Sequence, residues 1–308
     1  MKTTLLQMTI LMLCGAVWRI VSPNQLSAEQ TRHVLTSVVY YFFLPAMVLQ
    51  VLWHADIGWS SLQFSFLGCA SILLCIALSW ACARLLKISP AKTGALILAA
   101  AYPNVTYLGL PVLEQTLGPW SRSVVIQLDL FAAAPLVFTV GIMLARHFGE
   151  AGKEHKPKFI LAFFNAPPFW AAFLAVVLNI NHIPIPDWLN GLLEKCAGAV
   201  APLMIFSLGL ALSWRSLRWR NLPYMLPVIV IKLGFMPWAA MTILVFMTLT
   251  EQNKAAAVLD LAMPSMVLGI VLCDRYKLDS SLYASAVMVT TALSLVTLPF
   301  WHQMVISP

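Results

Sequence analysis

Residues 99–112 read AAAYPNVTYLGLPV and lie inside an apolar run that is otherwise long enough to cross a bilayer. Pro103 and Pro111 interrupt that run, because proline lacks a backbone donor and clashes with the preceding helical turn. An opened backbone is tolerated in hydrocarbon only where protein or a water-filled cavity satisfies its polar groups. The stretch therefore predicts a discontinuous membrane helix, a feature that transporters place at their binding sites. A proline kink within a continuous packed helix is the alternative.

The composition is that of a membrane protein. Hydrophobic residues make up 60% of the 308 positions and charged residues 10%, whereas soluble domains carry roughly 25% charged residues. The net charge of +7 does not indicate nucleic acid as a partner, because the basic residues lie almost entirely between apolar runs. The first apolar run lacks a small-residue cleavage site after it, so we expect it to be a retained helix.

Ten apolar runs approach the ~20 residues that a helix needs to cross a bilayer. They lie near residues 4–21, 34–53, 61–86, 91–117, 120–146, 159–180, 188–213, 222–249, 254–273 and 281–305. We therefore expect an all-α polytopic membrane protein with ten transmembrane helices.

The basic residues set the expected orientation of these helices. Alternate loops hold 14 of the 19 Lys and Arg residues, and the loops on the opposite side hold four. Because Lys and Arg are enriched in cytoplasmic loops, we expect a multi-pass protein of the cytoplasmic membrane with both termini on the non-cytoplasmic side.

The two halves of the chain match in order. Pro45 in the second run corresponds to Pro202 in the seventh, and the break at Pro103 and Pro111 corresponds to Pro264 in the ninth at nearly the same offset. Five helices are an odd number, so the halves have opposite orientations and form a 5+5 inverted repeat. The alternative is that mid-helix prolines coincide by chance. The expected units are the first repeat, a cytoplasmic loop and the second repeat, at residues 1–147, 148–158 and 159–308.

Two broken helices at matching places predict an anion site. A half-helix that begins within the membrane presents free N–H groups and the positive end of its dipole. Pro111 and Pro264 each suit the first position of such a half-helix, where the missing N–H costs nothing. Asn104, Thr106 and Ser265 add polar side chains beside the breaks, where they either bind substrate or cap the opened backbone.

Three ionisable residues lie deep within apolar runs, namely Asp129, Lys232 and Asp260. A charge in the membrane is costly and normally faces a cavity or a partner. These residues are therefore candidates for ion coupling, for substrate contact or for a static charge pair. The histidines lack the spacing of a metal site, and no ATP-binding loop, HExxH or GxSxG motif is present. We expect no metal, no catalytic residues and no enzymatic activity.

Throughout its length the chain resembles the auxin efflux carrier family, in its bacterial branch of membrane transport proteins. The most specific similarities are NVTYLGLP at 104–111, APLMIFSLGLAL at 201–212, AMP at 262–264 followed by RY at 275–276, and TTALSLVTLP at 290–299. Two positions depart from the family pattern. Thr106 stands where the family often has glycine, and Leu268 lies near the place where it often has a second asparagine.

The resemblance implies an inverted repeat of the bile-acid-symporter or NhaA-like type, with crossed broken helices four and nine and an elevator-like motion between a scaffold and a transport domain. It implies a secondary active efflux carrier of small organic anions, such as mono- or dicarboxylates, in the inner membrane of a bacterium. The implied substrate-binding residues are Asn104, Thr106, Gly109, Pro111, Pro264 and Ser265.

The expected partners are the organic anion and the lipid bilayer, with a homodimer left open. No cofactor is expected, and proton coupling is preferred to sodium coupling. Two other functions stay open. A sodium-coupled organic anion symporter of the bile-acid type uses the same broken helices. An intramembrane enzyme or a membrane sensor is the alternative from another class.

Overall fold

The computed structural model describes residues 2–23, 26–55, 57–149, 166–211 and 221–306. Regular structure in these ranges is helical, apart from one isolated antiparallel pair between Pro103 and Ser265. The predicted all-helical class is therefore confirmed. Most of the predicted loop at 148–158 and the start of the sixth predicted span lie outside the described residues.

Within the described ranges we number twelve helices along the chain. They are α1 (Lys2–Val21), α2 (Ala28–Trp53), α3 (Trp59–Leu85), α4 (Pro90–Ala101), α5 (105–117), α6 (Ser121–Phe148), α7 (Pro167–Ile180), α8 (Asp187–Ala211), α9 (Leu222–Leu244), α10 (Glu251–Leu261), α11 (Gly269–Tyr276) and α12 (Ser280–Ile306).

Six of these helices are long and apolar enough to cross a membrane, namely α2, α3, α6, α8, α9 and α12. Large apolar side chains such as Phe66, Trp170 and Val296 are more than half exposed on the outside of the bundle. Many exposed apolar side chains of this kind are expected where lipid rather than water covers the protein. Several apolar helices of spanning length therefore indicate a multi-pass membrane protein.

The eighth predicted span ends earlier than the sequence indicated. Helix α9 stops at Leu244 instead of residue 249, and the chain turns back through hydrogen bonds from Phe246 N to Ile243 O and from Met247 N to Leu244 O. Thr250 then caps α10 by accepting from Asn253 N. Apolar composition continues through the turn, so hydropathy alone misplaced the helix end.

Four prolines within helices are accommodated by wide turns and do not break the helix. Wide turns at Val39–Phe43, Val105–Gly109, Asp129–Ala133 and Val230–Phe235 are each followed two residues later by a proline, at Pro45, Pro111, Pro135 and Pro237. A proline ring clashes with the carbonyl four residues earlier. Hydrogen bonds spanning five residues, as in a π-helix, displace that carbonyl.

The helices form two groups with different neighbours. In the first group, α1 packs on α8, and both α7 and α8 pack on α2. Gly15 and Gly209 bring α1 and α8 into backbone contact, since a Cβ on Gly209 would meet the Met12 carbonyl oxygen. The second group contains α3 to α6 and α9 to α12, with α4 and α10 at its centre. Every residue of α4 from Thr93 to Ala101 is buried, as is every residue of α10 from Ala255 to Leu261.

Candidate functional site

The break predicted in residues 99–112 is present, and it lies at its first proline. Helix α4 ends at Ala101, Tyr102 is extended with φ −100° and ψ 115°, and Asn104 is the cap residue of α5. The Asn104 carbonyl accepts hydrogen bonds from Leu108 N and Gly109 N. The prediction that Pro111 begins the second half-helix is therefore wrong, because α5 already begins at residue 105 and its wide turn accommodates this proline.

The second break lies between the end of α10 at Leu261 and the start of α11 at Gly269. The prediction that Pro264 begins a half-helix is also wrong. Pro264 lies in the extended part of the break, four residues before the cap residue Leu268. Backbone hydrogen bonds to the first break hold this part extended, which excludes helical geometry there.

The two breaks cross, and each forms backbone hydrogen bonds with the other. Asn104 N donates to Pro264 O at 2.9 Å, and Met266 N donates to Tyr102 O at 3.0 Å. These bonds flank the antiparallel pair of Pro103 and Ser265. Each opened segment thus supplies the donors and acceptors that the other lost, which is the condition for irregular backbone at membrane depth.

Side chains form hydrogen bonds with further backbone groups at the crossing. Ser265 Oγ donates to Ala99 O at 2.6 Å, and Ser265 N donates to Thr290 Oγ1 at 3.2 Å. Tyr283 Oη donates to Met266 O at 2.6 Å. Ser265 and Tyr283 are fully buried. Ser265 therefore caps the end of α4 in this conformation, and α12 braces the second break.

Asn104 is the exception in this network. The side chain is 1% exposed, and neither its amide oxygen nor its amide nitrogen has a hydrogen-bond partner among the described residues. An unsatisfied buried polar group costs about 1–3 kcal/mol. Such a group in a folded protein calls for an explanation, and a bound ligand is one. The amide stands at the positive end of α5, where an anion is favoured.

Asn104 lies at the wall of a cavity of about 520 Å³ between the two helix groups. Its polar lining consists of Arg32, His33, Thr36, Ser37, Tyr40 and Tyr41 from α2, Asn104, Thr106 and Tyr107 from the first break and α5, Asp129 from α6, and Ser207 from α8. Apolar side chains of α6, α7, α8 and the second break, including Phe138, Phe169 and Leu268, cover the rest. The arrangement offers charged, hydroxyl and aromatic groups to one small molecule.

The predicted site residues separate into two sets. Asn104 and Thr106 line the cavity, together with Asp129. Gly109, Pro111, Pro264 and Ser265 are buried in the crossing or beneath it, and none of them belongs to the cavity lining among the described residues. In this conformation, the second set shapes the crossing instead of meeting a ligand.

Asp129 is held at the start of α5. Its Oδ2 accepts a hydrogen bond from the Thr106 hydroxyl, and the residue stands at the beginning of the wide turn in α6. A carboxylate near a helix N-terminus is stabilised by the dipole. The cavity wall therefore holds an amide and a carboxyl group close together, joined through Thr106.

Lys232 lies outside the cavity and is fully buried in α9. Its Nζ donates to Leu261 O at 3.1 Å and lies 2.6 Å from Met236 Sδ. Among the described residues, no carboxylate oxygen lies within 4.0 Å of this ammonium group. Leu261 is the last residue of α10, so the ammonium caps the negative end of that helix.

Asp260 is fully buried one residue before that end, and its oxygens have no hydrogen-bond partner in the described part of the chain. A Cβ built on Gly109 would collide with Asp260 Oδ1. Gly109 therefore allows α5 to approach α10 closely and places Asp260 beside the crossing. Asp260 interacts electrostatically with Lys232 without forming a direct ion pair.

Sequence reasoning missed the contribution of α2 to the cavity. Arg32, Thr36 and Tyr40 recur every four residues, which places them on one face of a helix. His33 and Ser37 repeat the same spacing one position along. A polar stripe at helical period in an otherwise apolar run is a signal for a cavity-facing surface.

Comparison with known proteins gives a consistent result. Residues 2–302 match the family described as membrane transport protein. An uncharacterized transporter of Methanothermobacter thermautotrophicus is 32% identical over 303 residues, which cover 97% of this chain and 96% of that protein. The uncharacterized transporter YfdV of Escherichia coli K12 is 22% identical over 281 residues, covering 89% and 88% of the two chains. The chain therefore belongs to the membrane transport protein family, as its resemblance to auxin efflux carriers predicted.

Proposed function

We propose that the chain is a secondary active carrier of small organic anions, such as mono- or dicarboxylates, and that it exports them across the cytoplasmic membrane of a bacterium. The observation that carries this proposal is the unpartnered side-chain amide of Asn104, which is buried at the wall of the cavity beside the N-terminus of α5. The amide nitrogen can donate to a carboxylate, and the helix dipole adds attraction for negative charge.

The position of the cavity supports alternating access. It lies between the two helix groups, with α2, α7 and α8 on one side and the crossing, α6 and α11 on the other. A relative movement of the two groups would carry the crossing past α2 and α8. This is the elevator-like motion that the family resemblance implies, with the first group as scaffold and the second as transport domain.

The cavity extends from the crossing toward the N-terminal ends of α2 and α7, at Arg32 and Ala166. Helix α2 follows the loop between the first two apolar runs, which holds Arg19 and Arg32 and lies on the side with most of the basic residues. We propose that this side is cytoplasmic, so the described conformation is open inward and both termini lie outside. Ten spans in a 5+5 inverted repeat complete the proposal, supported by crossed breaks at matching places in the two halves.

Lys232 and Asp260 are proposed to act beneath the site and not within it. Their burial beside the crossing makes them candidates for proton coupling or for a fixed electrostatic role. Sodium coupling in the manner of bile-acid symporters is the second candidate. A homodimer is compatible with either mechanism.

Counterflow in proteoliposomes tests the proposal. Vesicles containing the purified protein are loaded with an unlabelled organic acid and diluted into the same acid in labelled form. We expect transient accumulation of label that protein-free vesicles lack and that excess unlabelled acid outside abolishes. Chemical conversion of the acid without exchange would indicate an intramembrane enzyme. Loss of counterflow when choline replaces sodium would favour the sodium-coupled symporter over the proposed carrier.

A further inference from the structure

We propose that the transported acid carries a hydrogen-bond donor, either a hydroxyl or an ammonium group, near its carboxylate, and that Asp129 accepts this donor. The inference rests on the proposed function, since it requires an organic anion in the cavity. It adds a specificity-determining residue and narrows the substrate class from organic acids in general to those that bear a donor.

The geometry of Asp129 leaves one acceptor free. Its Oδ2 accepts from the Thr106 hydroxyl, whereas Oδ1 accepts no hydrogen bond from any described residue. The side chain is half-buried and lines the cavity. A hydroxyl has one proton to donate, so Thr106, which donates it to Oδ2, cannot also donate to Oδ1. The oxygen that remains needs a donor from the occupant or from water.

The spacing of Asp129 from Asn104 fits one small molecule. Thr106 follows Asn104 by two residues, so their Cα atoms are separated by at most about 7.6 Å. Because Thr106 bonds directly to Asp129, the carboxyl group and the Asn104 amide lie at neighbouring places on the cavity wall. A carboxylate at Asn104 therefore places its adjacent carbon atoms beside Asp129.

The charge of Asp129 is not neutralised by a basic side chain of the cavity. Arg32 lines the same cavity, yet no ion pair joins it to Asp129 within 4.0 Å among the described residues. Tyr40 and Tyr107 interact with Asp129 electrostatically, but neither hydroxyl hydrogen-bonds to it in the described structure. A bare carboxyl group in an anion site repels the substrate unless the substrate brings a donor to it. A donor converts that repulsion into a charge-assisted hydrogen bond.

The substitution Asp129→Asn offers a sharp probe. An Asn at this position retains an oxygen that accepts from Thr106, and its amide nitrogen then faces the cavity as a donor. The polarity presented to the substrate is thus reversed while the contact that holds the side chain is kept. Asp274→Asn is the matched control, because Asp274 also accepts from a hydroxyl, that of Ser280, and does not line the cavity.

The experiment measures dissociation constants of matched acids for the purified full chain by calorimetry. Succinate, malate and aspartate differ only in a hydrogen, hydroxyl or ammonium at one carbon, and phenylpropionate, phenyllactate and phenylalanine repeat that series on an aromatic skeleton. In the skeleton that binds, we expect a donor-bearing acid to bind at least ~10-fold more tightly than the unsubstituted one. Asp129→Asn should reduce that ratio to about one, while Asp274→Asn should leave it unchanged.

Each outcome decides a separate point. A preference for hydroxyl over ammonium, or the reverse, identifies the donor. If the unsubstituted acid binds the wild-type chain as tightly as the donor-bearing acids do, the inference is overturned and the proposed function stands. If Asp129→Asn weakens the binding of every acid equally and lowers the melting temperature, Asp129 has a structural role and the inference is also overturned. Absence of binding by every acid overturns the proposed function itself. The wild-type series decides the matter even if the variant does not fold.

Discussion

The backbone N–H of Asn104 donates to the carbonyl oxygen of Pro264 at 2.9 Å, across 160 positions of sequence. This bond places the cap residue of α5 against the second break and leaves the Asn104 side chain as the unsatisfied member of the crossing. The two breaks are therefore one structural unit. A change in either break is expected to affect both halves of the chain.

Ser265→Ala should destabilise the protein, because it removes the hydroxyl that caps Ala99 O at the end of α4. A buried carbonyl left without its donor costs about 1–3 kcal/mol. Thermal denaturation in detergent measures the effect. The control is Ser294→Ala, since Ser294 is equally buried but bonds only to Thr291 O within its own helix. Equal melting temperatures for the two variants would show that the Ser265 contact does not hold the crossing.

Gly109→Ala should disrupt the contact between α5 and α10, because the added methyl group meets the Asp260 carboxyl oxygen. We expect loss of folded yield or a lower melting temperature, with recovery in the double variant Gly109→Ala, Asp260→Ala, which removes the colliding group. Gly191→Ala is the matched control. Apart from its chain neighbours and its own helix backbone, no described atom lies within 4 Å of a Cβ built there, and alanine is favoured over glycine within a helix. A Gly109→Ala protein as stable as the control would contradict the close approach.

Lys232→Met should lower stability by about 1.5–3 kcal/mol, the contribution of a hydrogen bond to a charged group. The variant removes the donor to Leu261 O and the positive charge near Asp260. Adding Asp260→Asn should restore part of the loss, measured by chemical denaturation. Adding Asp129→Asn should restore less, because Asp129 interacts electrostatically with Asp260 but not with Lys232. If only Asp129→Asn restored stability, Asp129 and not Asp260 would be the electrostatic partner of Lys232.

Cysteine accessibility tests the proposed orientation. A membrane-impermeant maleimide added to whole cells should label Glu251→Cys, at the exposed start of α10, and should leave Lys277→Cys unlabelled until the membrane is broken. The parent chain with its six native cysteines supplies the background. Labelling of both positions from the same side would show that the chain between them does not cross the membrane once.

The broken helix at residues 99–112 could be predicted from the sequence, because proline chemistry is local and the run is otherwise apolar. The position of the break within that stretch could not. Pro103 and Pro111 look equivalent in the sequence, yet a wide turn accommodates Pro111 and the backbone pairing with the second break opens the chain at Pro103. That pairing is a long-range contact without a local signature.

The site could be predicted in part for the same reason. Asn104, Thr106 and Asp129 stand out in the sequence as polar or charged residues in apolar runs, and the structure brings them to one cavity wall. The same reasoning did not separate Ser265, whose hydroxyl is consumed by Ala99 O, from Asn104, whose amide is left over. Only the complete set of hydrogen bonds distinguishes a cap from a free group.

In the proposed function, the free amide of Asn104 binds the carboxylate of the substrate. Calorimetric titration of wild type and Asn104→Ala with the tightest-binding acid tests it most directly. Loss of one hydrogen bond to a charged group costs about 1.5–3 kcal/mol, so we predict ~10- to 150-fold weaker binding. The melting temperature without ligand should be unchanged or higher, because an unsatisfied buried amide is removed. An unchanged dissociation constant in a folded Asn104→Ala protein would contradict the account.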